Sequence, residues 1–188
     1  VVVQTGKDPI GLSILRFVLG EDPISISAHG SDSILEGCYD IAYLHLHFPS
    51  KVIAHLHLSW LHPNKVRRIT IVGNRKMAVY DDVEPLEKIK IYDKGVDTLP
   101  YTSTFGEFNY SYRYGDIVIP HVRMSEPLRN ECQHFADSIM GDKTPLSDGY
   151  DGLRVVEIIE AADRSLIDGG IPQSVRYHRA ETPDMRKV

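Results

Sequence analysis

Two cysteines and one tryptophan in 188 residues leave little room for disulfide or thiol chemistry. Cys38 lies in a strand-like run and Cys132 on the apolar side of a helical one, so both are expected as buried free thiols in a reducing compartment. Basic residues are not in excess. The 21 Lys and Arg against 26 Asp and Glu give a formal net charge of -5, which argues against the basic surface that a nucleic-acid partner needs. No apolar run approaches the ~20 residues that cross a bilayer, and no basic-then-apolar leader opens the chain. The expectation is a cytoplasmic protein with no membrane partner. A G-x-S-x-G turn is missing and neither cysteine has a cationic neighbour in sequence, so acyl transfer is unsupported. No G-x-G-x-x-G follows a strand, so these residues carry no dinucleotide fingerprint. Internal repeats and low-complexity tracts are also missing.

What is present is an ordinary domain composition, 42% apolar and 25% charged, enough for one core. Residues 125–170 read as two helices. Ser125 is the expected N-cap of the first, with Pro127 in its first turn and Leu128, Cys132, Phe135 and Ile139 at helical spacing up to Gly141. Ser147 or Asp148 caps the second, whose Leu153, Val156, Ile159, Ala162 and Leu166 form a stripe ended by Gly169 and Gly170. Two amphipathic helices need a sheet to cover, and the rest of the chain supplies one. Residues 1–4 read as a strand whose partners lie outside the chain, the bare apolar start being read as a cut from something longer. Pro9 to Gly20 spans a short helix carried by Leu12, Leu15 and Leu19, and residues 24–29 alternate as a strand.

Residues 38–61 alternate almost strictly, broken at Pro49-Ser50-Lys51, which predicts a long antiparallel hairpin. Ala42, Leu44, Leu46, Phe48, Val52, Ala54, Leu56, Leu58 and Trp60 fall on its core face. Tyr43, His45, His47, Ile53, His55 and His57 fall on the other, with His45 opposite His55. Strands follow at 67–72, 76–80, 86–92 and 114–119, a long loop at 97–113, and at 176–188 a mobile tail or an arm onto a neighbour.

Four imidazoles on one sheet face, His45, His47, His55 and His57, are a candidate metal site for zinc, iron or copper. The carboxylate that usually completes such a barrel-type site is missing at short spacing, and a polar face or subunit interface lined by histidine is the preferred reading. Asp148, Asp151, Glu157 and Glu160 read as capping and solvated acids.

Residues 125–170 resemble the C-terminal signature of the Gfo/Idh/MocA (glucose-fructose oxidoreductase and inositol dehydrogenase) family. The shared residues are Glu126-Pro127-Leu128, Glu131-Cys132, His134-Phe135, Asp137, Pro145, Asp148-Gly149, Gly152-Leu153, Glu160-Ala161-Ala162, Ser165 and Gly169-Gly170. Ile14-Leu15-Arg16-Phe17 with Leu19-Gly20, and Ser59-Trp60-Leu61 with Pro63 and Val72-Gly73, extend the likeness over residues 8–175. It implies an α+β domain over residues 1–175, an open, mostly antiparallel sheet with helices packed on one face. The exposed sheet face would make a homo-oligomer. It also implies the substrate side of a sugar, polyol or sugar-nucleotide dehydrogenase, with NAD or NADP expected in a full-length parent and no cofactor in this chain. The family's Rossmann domain and Glu-Lys-Pro segment do not occur here, so the resemblance implies no hydride transfer by this chain alone. Ile10 stands where the family's proton-transfer histidine is expected, so no catalytic residue is assigned, and Lys7, Asp8 and Ser13 are the substrate-side candidates. The alternatives are a non-catalytic assembly or regulatory module of the same family and a histidine-rich metal-binding sheet protein.

Overall fold

In the computed structural model, which describes residues 1–5, 10–97 and 111–178, nine strands form one sheet. The strands are β1 (Val2–Thr5), β2 (Ser25–Ser31), β3 (Ile41–His47), β4 (Ile53–Ser59), β5 (Arg67–Val72), β6 (Met77–Asp81), β7 (Ile89–Asp97), β8 (Ser111–Val118) and β9 (Gln173–Ser174). Their order across the sheet is β8-β7-β6-β5-β1-β4-β3-β2-β9. Every pairing is antiparallel except that of β1 with β4. The strand at the start of the chain thus finds both its partners within the chain, between β4 and β5, and not outside it. The reason is geometric: β4 and β5 do not pair with each other, and β1 satisfies the backbone groups along the facing edges of both.

The β3–β4 hairpin has the predicted register, Leu44 facing Leu56 and His45 facing His55. Its core face is also as predicted from Ala42 to Leu58, but Trp60 lies beyond the end of β4 and is 60% exposed. The core joins Leu44, Leu46, Ala54 and Leu56 to Ile26 and Ala28 of β2. On them sit Leu12 and Leu15 of α1 (Ile10–Leu19) and Ile158, Ala161 and Ala162 of α3 (Gly149–Ile167). The architecture is therefore α+β, an open, mostly antiparallel sheet with helices on one face.

Three readings of the helices need correction. α3 is capped by Asp148, whose carboxylate accepts from the Asp151 amide at 2.9 Å, and ends at Gly169 and Gly170, both at positive φ. Its buried side chains, however, are Glu157, Ile158, Ala161, Ala162 and Ser165, while Leu153 and Val156 are exposed. The helix is turned so that small residues approach the sheet and Ser165 stands in for a strand partner. Its hydroxyl accepts from the Ala28 amide at 2.9 Å and donates to the Ile171 carbonyl at 2.8 Å. β9 is paired only with Ser25 and Ile26, so it does not reach that amide. α2 (Pro127–Met140) starts from Glu126 without a side-chain cap; Ser125 instead accepts from the Asn130 side-chain amide. Its apolar residues Leu128, Phe135 and Ile139 stay exposed rather than covering the sheet. For the same reason Cys132 is exposed, and Cys38 is exposed in the loop before β3, so neither thiol is buried.

Of the expected mobile tail, residues 176–178 are described, and they are tied down at two points. The Tyr177 hydroxyl donates to the Pro23 carbonyl at 2.6 Å, and the His178 amide donates to Glu157 at 2.6 Å. Residues 179–188 lie outside the described residues. Of the loop predicted at 97–113, Asp97 instead ends β7 and residues 111–113 open β8, while residues 98–110 lie outside the described residues.

Candidate functional site

α1 reads IGLSILRFVL, one charge in an otherwise apolar helix. Leu12 and Leu15 turn to the core, which directs Ser13, Arg16 and Phe17 away from the sheet, toward the segment that leads into α3. Between them lies a cleft of about 430 Å³ lined by Ser13, Arg16, Phe17, Asp22, Leu146 and Asp151, among others. Gly20, at φ 68, ends α1 and lets the chain turn so that Asp22 comes back beside Arg16.

Arg16 organises the cleft floor. Its Nε donates to Asp22 at 2.5 Å, and its Nη1 donates to the Asp151 carbonyl at 3.1 Å and to the Asp151 carboxylate. Burial works against the guanidinium's charge, but the bonds to Asp22 and Asp151 outweigh it and hold the pKa above its ordinary value. Arg154 approaches Asp22 from α3 at 3.9 Å. It also donates to Glu157 at 3.0 Å and packs 4.8 Å from the centre of the Tyr177 ring. Burial alone would raise the Glu157 pKa, but the bonds from the His178 amide and imidazole and from Arg154 more than offset it and hold the carboxyl below its ordinary range. The cleft therefore presents a hydroxyl, an aromatic edge and carboxylates around a guanidinium whose charge is already neutralised. These groups can bind polar, hydroxyl-bearing molecules.

Of the candidates that the sequence offers, Ser13 lines this cleft. Lys7 and Asp8 lie outside the described residues, and Ile10 opens α1 with 52% of its surface exposed. Arg16, Asp22 and Asp151 are cleft residues to which the sequence assigns no site role. Asp151 and Glu157, which read from sequence as solvated acids, are neither: the first is ion-paired to Arg16 and the second is buried with 2% of its side chain exposed. The signal that could have found Asp22 and Asp151 is the lone Arg in α1, since a charge amid apolar residues needs a partner.

The four histidines occupy the opposite sheet face and do not converge. His45 and His55 face each other with Nδ1 atoms 3.4 Å apart and ring centroids 4.6 Å apart. His57 stacks on Tyr43 at 4.6 Å, and His47 faces Ile53. No group of three or more potential ligands stands together among the described residues. Burial, and then the neighbouring His45 and His57, lower the His55 pKa. No helix among the described residues is long and apolar enough to cross a membrane.

Residues 11–79 match the family model of the GFO/IDH/MocA C-terminal domain, from α1 into β6. No curated protein matches the chain. Among solved structures, UDP-N-acetylglucosamine 3-dehydrogenase from Acidithiobacillus ferrooxidans superimposes with a TM-score of 0.68 at 17% identity, covering 89% of this chain and 54% of that one. Aldose-aldose oxidoreductase from Caulobacter crescentus, complexed with glycerol, gives 0.68 at 17% identity, covering 92% and 54%. Levoglucosan dehydrogenase in complex with NADH and L-sorbose gives 0.70 at 11% identity, covering 94% and 58%. At these identities the likeness shows the fold, and the chain spans a little over half the length of each.

Proposed function

We propose, from the match of residues 11–79 to the GFO/IDH/MocA C-terminal domain model, that the chain is the substrate-side and oligomerisation domain of an NAD(P)-dependent oxidoreductase. Its substrate would be a sugar, a polyol or a sugar nucleotide. The observation that carries this reading is the coverage: the fold fills about half of three oxidoreductases named for sugar substrates or bound to a sugar or glycerol. The cleft at α1 is consistent with it, since Ser13 and the carboxylates of Asp22 and Asp151 can meet sugar hydroxyls.

The described residues of this chain offer a dinucleotide no fitted site. There is no glycine-rich turn to receive a pyrophosphate, and the cleft sets Glu21, Asp22 and Asp151 around a guanidinium already engaged by two carboxylates. Cofactor binding would fall to another domain of a longer parent, and the role of this domain is to bind and orient substrate through α1, Ser13 and the flanking Lys7 and Asp8. Calorimetric titration of the 188-residue chain with NAD and NADP should show no saturable binding at micromolar concentrations. A micromolar dissociation constant for either would overturn this division of labour.

A second reading, a non-catalytic assembly module, is favoured by Ile10, an exposed aliphatic side chain where the resemblance implies the family's histidine. An aliphatic side chain cannot relay a proton. Activity of a longer gene product toward a panel of sugars with NAD(P) would decide for the first reading, and its complete inactivity for the second.

A further inference from the structure

The sheet face opposite the cleft holds a second arrangement with chemistry of its own, the cross-strand pair His45 and His55. Its two Nδ1 atoms stand 3.4 Å apart. As a hydrogen bond this is long, because nitrogen donors usually sit ~2.7–3.2 Å from their acceptors. As a chelate it is well spaced: two zinc–imidazole bonds of ~2.0–2.1 Å at a tetrahedral angle put their nitrogens about 3.4 Å apart. The register of β3 against β4 holds both Cα atoms directly opposite, so the bite is set by the backbone of two core strands and not by a loop. The rings are inclined by 47° and not stacked. Both residues are partly buried. The cross-strand neighbours on this face are Ser27 beside His45 on β2 and Val2 beside His55 on β1, and Tyr43 stacks 6.1 Å from the His55 ring; none of the three is an acid that would form an ion pair with the imidazoles. The other two histidines of the hairpin are otherwise engaged or placed, His57 against Tyr43 and His47 opposite Ile53.

We propose that His45 and His55 chelate one divalent transition-metal ion of the zinc, nickel or copper class through their Nδ1 atoms, with water in the remaining coordination positions. Imidazole is the side chain these ions share as a ligand. Two ligands on a rigid sheet make an open site, suited to reversible occupancy rather than to a permanent structural ion. The chelate stands independently of the oxidoreductase reading, and it uses no residue of the α1 cleft.

The test is titration of the full 188-residue chain, free of any tag, with zinc by calorimetry at neutral pH. One zinc per chain is expected, with affinity falling at least tenfold in His45→Ala and in His55→Ala and unchanged in His47→Ala and His62→Ala. Circular dichroism establishes that each variant is folded, and His45→Gln stands in should the alanine variant not be. On the unmodified chain, NMR of the imidazoles should show zinc-induced shifts confined to His45 and His55. Absence of saturable binding, undiminished binding in folded His45 and His55 variants, or shifts centred on other histidines would overturn the proposal. Native mass measured in parallel reports on assembly separately, and half an ion per chain with a doubled mass would overturn the open, single-chain form.

Discussion

Glu157 shows how a single charge can be misread from sequence and still be the residue on which a segment depends. It sits on the sheet-facing side of α3, buried, where a lone carboxylate would be costly. Three donors, the His178 amide, the His178 imidazole and Arg154, offset that cost and anchor the chain at Tyr177 and His178. Its folded pKa is depressed, so the unfolded chain holds the proton more tightly. The stabilisation is therefore present above the unfolded value of ~4.3 and is lost as pH falls through the lower folded value. Glu157→Gln should cost about 1.5–3 kcal/mol at neutral pH, the range for hydrogen bonds to a charged group. In urea unfolding at neutral pH and at about pH 3, the gap from the parent should narrow at the acid end. An equal gap at both pH values would show that the carboxylate charge contributes nothing.

At the scale of elements, α2 and α3 have similar patterns and opposite fates. Both carry apolar residues at helical spacing, and sequence assigns both to the sheet. Only α3 packs there, through Ile158, Ala161 and Ala162, because Ser165 ties it to β2 and because small side chains allow the close approach. α2 leaves Phe135 at 62% exposure and is fastened instead through His134, whose Nε2 accepts from the Leu146 amide at 2.9 Å. Ile158→Ala should therefore cost about 2–5 kcal/mol, while Phe135→Ala should stay within about 0.5 kcal/mol. Chemical denaturation of the two variants compares them directly, and comparable losses would place α2 in the core. Gly170 belongs to the same scale. It stands at φ 94, where a Cβ would overlap the His29 ring, and it lets the chain leave α3 and return to β9. Gly170→Ala should lower stability by more than about 1 kcal/mol in the same assay, and an unchanged midpoint would show that the turn relaxes freely.

For the whole molecule, the two faces of the sheet divide the work. The helix-covered face holds the core and, at its margin, the α1 cleft. The other face carries the histidines together with exposed apolar residues, Val2 on β1, Tyr43 on β3, Ile53 on β4 and Val72 on β5, a strip that runs over neighbouring strands. A strip of that kind on an open sheet is suited to a second copy of the chain. Native mass spectrometry should find the parent assembled and Ile53→Asp shifted toward monomer, since a carboxylate at a shared apolar face would be desolvated. A strictly monomeric parent would remove the oligomerisation role.

Sequence alone determined what depends on local periodicity. The alternation of residues 41–59 set the hairpin, its register and the side to which each imidazole points, because a two-residue period leaves one consistent assignment once one face is apolar. Glycines 20, 141, 169 and 170 marked where helices stop, and the resemblance in residues 14–20 and 59–73 falls within the family match over 11–79. Only the tertiary structure decided which partner each surface meets. It put the first strand between β4 and β5, turned α3 onto its small residues, left α2 and both cysteines exposed, and brought Arg16 to Asp22 and Asp151, the latter across 135 residues of chain. The physical reason is that periodicity specifies a face, while the choice of what covers that face depends on contacts between residues far apart in sequence, where shape and charge must fit together in three dimensions.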